Sequence, residues 1–331
     1  MKRRELLKSA LGLSVGLVGM SAIRPLYASD DMVMKADPMY DVPVTKVTDS
    51  CYYILAEDPE PSPENHAFFN NPGFIVTSEG VVVVDTGSSV QIGEMVLRQI
   101  KKVTELPVIM VINTHYHGDH FLGNHAFVEA YPNVDIYAHP TAIKKIKSDG
   151  EDFWYGFMQR NSNNGITGTI VAAPNKSFEG GEVLKVGDKT LKIHQFGTVH
   201  TESDLIVEVV EDKVAFMGDM AMRRVANMAD GSFVGTIEAM KKSQALNCDH
   251  YIVGHGVHDN ASICKDMQTF CETIYNNAAI YYDEGLSDFE MKPKIMAEPF
   301  MKEVASQWPG YEKTIGVFIA VAVAEVETNM F

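Results

Sequence analysis

The segment of residues 114–120, which reads Thr-His-Tyr-His-Gly-Asp-His, constrains this chain more than any other. The apolar run of residues 108–112 just before it predicts a buried strand, and α/β proteins place their chemistry in loops that follow such strands. The pattern H-x-H-x-D-H offers imidazole and carboxylate, the usual ligands of divalent transition metals. These four candidate ligands are more than a single catalytic ion with a free coordination position needs, so we expect two adjacent ions that share this loop.

Three further candidate ligands, His200, Asp219 and His255, each follow a strand-like run downstream. Glycine directly precedes both Asp219 and His255, and glycine lets the backbone approach an ion closely. A single histidine or aspartate at the end of a strand is usually structural. Together with the first motif, however, the three residues form an ordered set of ligands.

The succession of Asp85, the H-x-H-x-D-H motif, His200, Asp219 and His255 resembles the metallo-β-lactamase superfamily, whose motifs it repeats in order over residues 46–258. The resemblance implies an α/β fold, an αββα sandwich, with a dinuclear site at one edge. It also implies that Asp219 bridges two metals and that Asp85 orients the ligand loop. The implied ligands are His115, His117 and His200 for the first metal, and Asp119, His120 and His255 for the second.

Such a site predicts a hydrolase with two Zn²⁺ ions per chain. Two adjacent ions lower the pKa of a shared water, and the resulting bridging hydroxide attacks an ester, thioester, lactone or amide. Asp119 is the predicted catalytic residue, since it would both ligate the second ion and accept a proton. The predicted pocket wall comes from the loops 57–72 and 151–175, with the aromatic residues Phe68, Phe69, Trp154 and Tyr155.

Softer motifs, among them residues 71–76, 121–124 and the tail 322–327, resemble exported quinoprotein relay zinc metallohydrolases and hydrolases found near thiosulfate-oxidation systems. Two alternatives stay open. One is a mononuclear non-haem iron persulfide dioxygenase that uses His115, His200 and Asp219. The other is a non-catalytic periplasmic partner of a quinoprotein or sulfur-oxidation system. The bridging Asp219 argues against the best-known β-lactamase classes.

The N-terminus predicts export to the periplasm. Arg3-Arg4 followed by the uncharged stretch 9–23 resembles a twin-arginine signal peptide, with cleavage after Ala28. Loss of residues 1–28 takes the formal net charge from −16 to −20. A mature protein this acidic repels nucleic acid, so the expected partner is a small-molecule substrate; the sequence sets no oligomeric state.

Hydrophobic periodicity predicts strands and helices, then strands and helices again, which indicates two similar α/β halves packed sheet to sheet with helices outside. We expect a polar arm at 29–45, a metallo-β-lactamase-like domain at 46–258, and a C-terminal helical extension at 259–331 packed on it. Within these we expect a strand at 46–56, a helix at 119–131, an irregular segment at 151–181, and helix breaks near Gly285, Pro293 and Pro309-Gly310. A disulfide between Cys51 and Cys248 is an alternative to buried thiols.

Overall fold

Two β-sheets pack face to face at the centre of the structure. The computed structural model describes residues 34–330, so the predicted signal peptide at 1–28 lies outside the described residues. The first sheet has seven strands in sequential order, with antiparallel pairing from β1 to β4 and parallel pairing from β4 to β7. Its strands are β1 Val44–Lys46, β2 Cys51–Ile54, β3 Gly73–Val76, β4 Val81–Val84, β5 Val108–Ile112, β6 Asp135–Ala138 and β7 Lys176–Ser177.

The second sheet has five strands in the order β12-β11-β10-β9-β8, parallel between β12 and β11 and antiparallel elsewhere. Its strands are β8 Val183–Val186, β9 Lys189–His194, β10 Ile206–Val209, β11 Val214–Phe216 and β12 His250–Ile252. Both sheets place the ends of parallel strands at one edge of the sandwich.

Helices cover both outer faces. They are α1 Val90–Val103, α2 Gly118–Phe121, α3 Asn124–Ala130, α4 Pro140–Asp149, a π-helical turn Gly150–Tyr155, α5 Gly156–Asn161, α6 Phe233–Ala245, α7 Ser262–Asp283, α8 Asp288–Met296, α9 Pro299–Glu303, a 3₁₀ turn Ala305–Gln307 and α10 Tyr311–Met330. None of these helices, which lie between residues 34 and 330, has the length and apolar character needed to cross a bilayer.

Alternation along β4 shows how the layers form. Val81 and Val83 pack under α1 and α3, whereas Val82 and Val84 face the second sheet. Successive strand residues point to opposite faces, so a strand that is apolar on both must be covered on both. The outer face of the second sheet is covered by α6, α7 and α10 through residues such as Phe233, Phe270 and Phe318. The αββα sandwich is therefore confirmed.

Several predicted element bounds are wrong, each for a local reason. The predicted strand 46–56 is two strands joined by a turn, in which the backbone N–H of Cys51 donates to the Thr48 hydroxyl over 3.0 Å. The predicted helix 119–131 is split at Gly123, because a Cβ there would lie only 2.0 Å from the carbonyl oxygen of Thr86. Close approach of two backbones thus interrupts a helix that periodicity alone would continue.

The segment 151–181 is not irregular throughout, since it begins within the π-helical turn and contains α5. Trp154 and Phe157 pack there against the cluster around Phe121, so tertiary contacts stabilise helices too short to form alone. Helix α8 also runs through Pro293 instead of breaking at it, helped by a capping box between Ser287 and Glu290.

The segment 34–43, which precedes β1 and was predicted to belong to a polar arm, also contacts the core. Met39 is buried, and its carbonyl oxygen accepts a hydrogen bond from Arg98 on α1 over 2.6 Å. All four cysteines, Cys51, Cys248, Cys264 and Cys271, are free and buried, so the alternative of a Cys51–Cys248 disulfide is wrong.

Candidate metal centre

Strand ends place the predicted ligands at one edge of the sandwich. Asp85 follows β4, the H-x-H-x-D-H loop follows β5, and Asp219 and His255 follow β11 and β12. His200 arrives from the loop that joins β9 to β10. Residues more than a hundred positions apart therefore meet because the two sheets present these ends side by side.

The seven predicted ligands lie together in two groups, all of them buried. Within each group the candidate ligand atoms lie within 4.8 Å of one another. Asp219 stands between the groups, with its carboxylate 3.5 Å from His200 Nε2 and 3.1 Å from His255 Nε2. The groups are His115, His117, His200 and Asp219, and Asp119, His120 and His255.

Three buried polar atoms in this cluster indicate a missing partner. His115 Nε2, His120 Nε2 and Asp219 Oδ1 find no hydrogen-bond partner among the described residues. Buried polar groups are nearly always satisfied, because leaving one unpaired costs about 1–3 kcal/mol. A divalent cation satisfies imidazole nitrogen and carboxylate oxygen together, so the residues fit metal ions.

Asp85 sets the orientation of two of the histidines. Its Oδ2 accepts hydrogen bonds of 2.8 Å from His120 Nδ1 and from the Thr114 hydroxyl. Because the hydroxyl proton of Thr114 is donated to Asp85, the hydroxyl oxygen accepts a hydrogen bond from His115 Nδ1 over 3.0 Å. Both rings therefore direct Nδ1 to an oxygen outside the ligand groups and Nε2 into the site. Asp85 has φ 59°, a left-handed conformation of the kind found at functional sites.

Two more histidines are oriented in the same way. His255 Nδ1 donates to the carbonyl oxygen of Phe69 over 2.6 Å, which leaves Nε2 to face Asp119 and Asp219. His117 Nε2 lies 3.4 Å from the carboxylate of Asp230, which accepts from it, so Nδ1 is the atom that faces the ligand group, 3.0 Å from His200 Nε2. Asp230 was missed by the sequence analysis, since no motif marks it.

Electrostatics within the cluster keep its carboxylates ionised. Burial alone would raise the pKa of Asp119, but the charges and hydrogen bonds of His120 and His255 hold that pKa well below its usual range. Burial and the neighbouring His117 together lower the pKa of His200 to about 3. The same carboxylates raise the pKa of His120 and of His255 against the effect of burial, so a metal ion bound there would take the place of protons.

Gly254 permits the closest approach in the site. A Cβ at this position would lie 2.1 Å from Asp219 Oδ1 and 2.9 Å from the ring of His120. We therefore expect Gly254→Ala to displace Asp219 and to lower metal content, measured by elemental analysis of the purified protein. Gly316→Ala on α10 is the control, because a Cβ there meets only the flexible side chain of Lys292 and the residue lies outside both ligand groups. Full metal occupancy in Gly254→Ala would contradict this role.

A cavity of about 750 Å³ opens onto the cluster. Its wall includes Phe69 and Trp154, as the predicted loops 57–72 and 151–175 suggested, but neither Phe68 nor Tyr155. Phe68 turns into the core beneath α1, and Tyr155 packs with the cluster around Phe121, because successive side chains of each segment point in different directions. For these two residues the predicted pocket position is wrong.

Two parts of the cavity wall were missed by the sequence analysis. They are the segment 224–230 after Asp219 and residues 310–314 at the start of α10. Arg224 is the notable residue among them, and burial lowers its pKa. The paired arginines Arg223-Arg224 in an otherwise acidic chain, five residues after Asp219, were the available signal.

Comparison with known proteins places this geometry in a family. The model of the metallo-beta-lactamase superfamily matches residues 67–255, more than half of the chain. The linear primary-alkylsulfatase of Pseudomonas sp. is 35% identical over 80 residues, which cover 23% of this chain and 15% of that protein. The aligned region is thus a small part of that relative.

Solved structures share the fold at low sequence identity. A metallo-beta-lactamase from Pontibacter korlensis is 18% identical with a TM-score of 0.57, over 70% of this chain and 99% of that one. The stereoselective inverting sec-alkylsulfatase of Pseudomonas sp. is 17% identical with a TM-score of 0.65, over 85% of this chain and 50% of that one. The chain therefore spans about half the length of that alkylsulfatase. The converging strand ends, the clustered ligands and the matched family model together show that this chain belongs to the metallo-beta-lactamase superfamily.

Proposed function

We propose that this protein is a dinuclear zinc hydrolase that cleaves an ester. The observation that carries the proposal is the set of imidazole nitrogens that His115, His117, His120 and His255 direct into two adjacent groups, each ring being oriented by a contact of its other nitrogen. A single ion would leave one group of buried ligand atoms without a partner. Two ions satisfy both groups.

In this proposal His115, His117 and His200 hold the first ion, Asp119, His120 and His255 hold the second, and Asp219 contacts both. Bound divalent ions supply an activated water at neutral pH and polarise the bond to be cleaved. Asp85 contributes by holding His115 and His120 in the tautomer that ligates. Asp230 does the same for His117.

Asp119 is the proposed catalytic residue of the chain itself. Its carboxylate lines the cavity and lies 3.3 Å from both His120 Nε2 and His255 Nε2. It thus stands between the ligand cluster and the space available to a substrate. From this position it orients the attacking water and accepts its proton.

Ester cleavage is the reaction class that the relatives favour. Both alkylsulfatases among the similar proteins are named for cleavage of a sulfate ester. We therefore add sulfate esters to the carboxylic esters, thioesters, lactones and amides that the site chemistry suits. We expect weak β-lactam turnover, because Asp219 occupies the position between the metals.

We also propose periplasmic action, near a quinoprotein or sulfur-oxidation partner, on the strength of the export motif at Arg3-Arg4 and the softer motifs already described. The resemblance of these motifs to quinoprotein relay metallohydrolases is part of this proposal.

Elemental analysis tests the metal content directly. We expect close to two equivalents of zinc per chain, and His120→Ala or His255→Ala should remove mainly one of them, because both residues belong to the same group. His125→Ala is the matched control, since that histidine is buried but lies outside both groups. The zinc-loaded protein is then assayed with a sulfate ester, a carboxylic ester, a thioester and a lactone. A stable single iron with oxygen-dependent persulfide turnover would overturn the proposal.

A further inference from the structure

Arg224 is a cation in the cavity wall that no carboxylate of the described residues pairs with. It lines the same wall as His117, Asp119, Asp219 and His255. Its guanidinium makes no hydrogen bond or ion pair with any residue between 34 and 330. The adjacent Arg223 is fully engaged instead, donating to Asp259, Asp266 and Ser262 over 2.7–2.9 Å. Arg224 is partly buried, and withdrawing an arginine from water without an ion-pair partner costs free energy, so its position requires an explanation.

The position of the Arg224 guanidinium is defined by an aromatic contact. Its central carbon lies 5.7 Å from the centroid of the Phe69 ring, a cation–π distance. Phe69 in turn stacks on His255, with ring centroids 5.4 Å apart, and accepts the hydrogen bond from His255 Nδ1. The guanidinium is thereby placed beside the ligand cluster, on a residue that already orients one ligand.

The carboxylates that share the cavity are committed elsewhere. Glu60 holds Lys313, with Lys313 Nζ 2.8 and 2.9 Å from its two oxygens. Asp230 accepts from His117, and Asp119 and Asp219 belong to the metal groups. Once metal ions neutralise those two aspartates, Arg224 is the cation of the described cavity wall whose charge is left uncompensated.

Another part of the wall is apolar. Phe153, Trp154 and Phe157 line it, with ring centroids 4.9–6.4 Å apart. The ring of Phe153 remains 54% exposed, although it belongs to this aromatic group. A substrate with a hydrocarbon portion would cover these rings, and removal of their apolar surface from water would favour its binding.

From these contacts we propose that the substrate is an amphiphilic anion: Arg224 binds its charged group, and Phe153, Trp154 and Phe157 bind its hydrocarbon portion. The proposal rests on the hydrolase function proposed above and names its substrate class. Arginine suits this role because its planar donors match the oxygens of sulfate, sulfonate or carboxylate in pairs. Arg224 is therefore a specificity-determining residue.

Calorimetric titration with octane-1-sulfonate, which cannot be hydrolysed as an ester, tests the binding step in the zinc-loaded protein. Arg224→Gln should weaken sulfonate binding by roughly 10- to 100-fold, the usual loss for a hydrogen bond to a charged group. Arg224→Lys should recover part of that loss. Arg223→Gln is the matched control, because it removes the same charge one residue away and should leave affinity for the probe unchanged. Octan-1-ol, which has the chain without the charge, should bind Arg224→Gln and the unmodified protein alike.

The outcomes separate this inference from the proposed function. Equal sulfonate affinity in the unmodified protein and in Arg224→Gln, at equal zinc content, would overturn the role of Arg224 even if esters are hydrolysed. Arg224-dependent binding of sulfonate without hydrolysis of any ester in the panel would support the anion site and contradict the hydrolase. A parallel titration with octanoate distinguishes the two kinds of anion: tighter binding of sulfonate assigns the site to sulfur oxyanions, and tighter binding of octanoate assigns it to carboxylates.

Discussion

Replacing Asp119 with asparagine should lower kcat by about 10²–10⁴-fold, the range that loss of a general base usually produces. Asparagine keeps an oxygen that can contact a metal but cannot accept the proton of the attacking water. Much of the metal should therefore remain, since His120 and His255 are unchanged in the same group. The measurement is steady-state turnover of the best ester in the panel at confirmed zinc occupancy.

Asp152→Asn provides the matched control for this substitution. It removes a carboxylate from an exposed position on the π-helical turn near the cavity, outside the ligand groups. Its kcat should stay within a factor of two of the unmodified enzyme. An unchanged kcat in Asp119→Asn at full zinc occupancy would refute the catalytic role of Asp119.

Removal of the metal should destabilise the whole domain. The ligands meet only after both sheets have formed, so the ions bind the folded state and stabilise it. One site with free metal at 1,000 times its Kd contributes about 4 kcal/mol. At about 2–4 °C per kcal/mol for a domain of this size, chelation should lower Tm by roughly 8–16 °C, measured by circular dichroism.

The buried carboxylates explain why this effect should be large. Without metal, Asp119 and Asp219 remain buried among histidines, and His115 Nε2 has no hydrogen-bond partner among the described residues. Asp219→Ala is the control, because its Tm should respond much less to the chelator once the contact between the two groups is lost. A Tm that stays the same while elemental analysis shows the metal removed would contradict the link between metal and folding.

The candidate ligands could be predicted from sequence because their chemistry is local. Three histidines and an aspartate lie within six residues directly after a strand, and glycine precedes Asp219 and His255. The continuous apolar run at residues 81–84 is likewise typical of a strand buried on both faces, as β4 is. These patterns depend on neighbours in the chain, so no tertiary information is needed to recognise them.

Other features depend on contacts between distant segments. Helix α5 and the π-helical turn exist because Trp154 and Phe157 pack against Phe121, and the helix 119–131 is split by backbone contact at Gly123. Phe68 and Phe69 are adjacent residues of the same type, so the sequence does not tell their positions apart. In the structure Phe68 enters the core, whereas Phe69 lines the cavity. Which way a loop side chain points is set by what packs against it.

The sequence by itself determined the resemblance to the family, the αββα architecture that it implies and the residues able to bind metal, because ligand type and spacing are written in short motifs. Only the tertiary structure decided how the ligands are held and what they face. Asp230 reaches His117 from 113 positions away, and Arg224 lies over the ring of Phe69, which belongs to a different loop. Such contacts arise when two sheets close over one edge, a long-range event that no local pattern in the chain encodes.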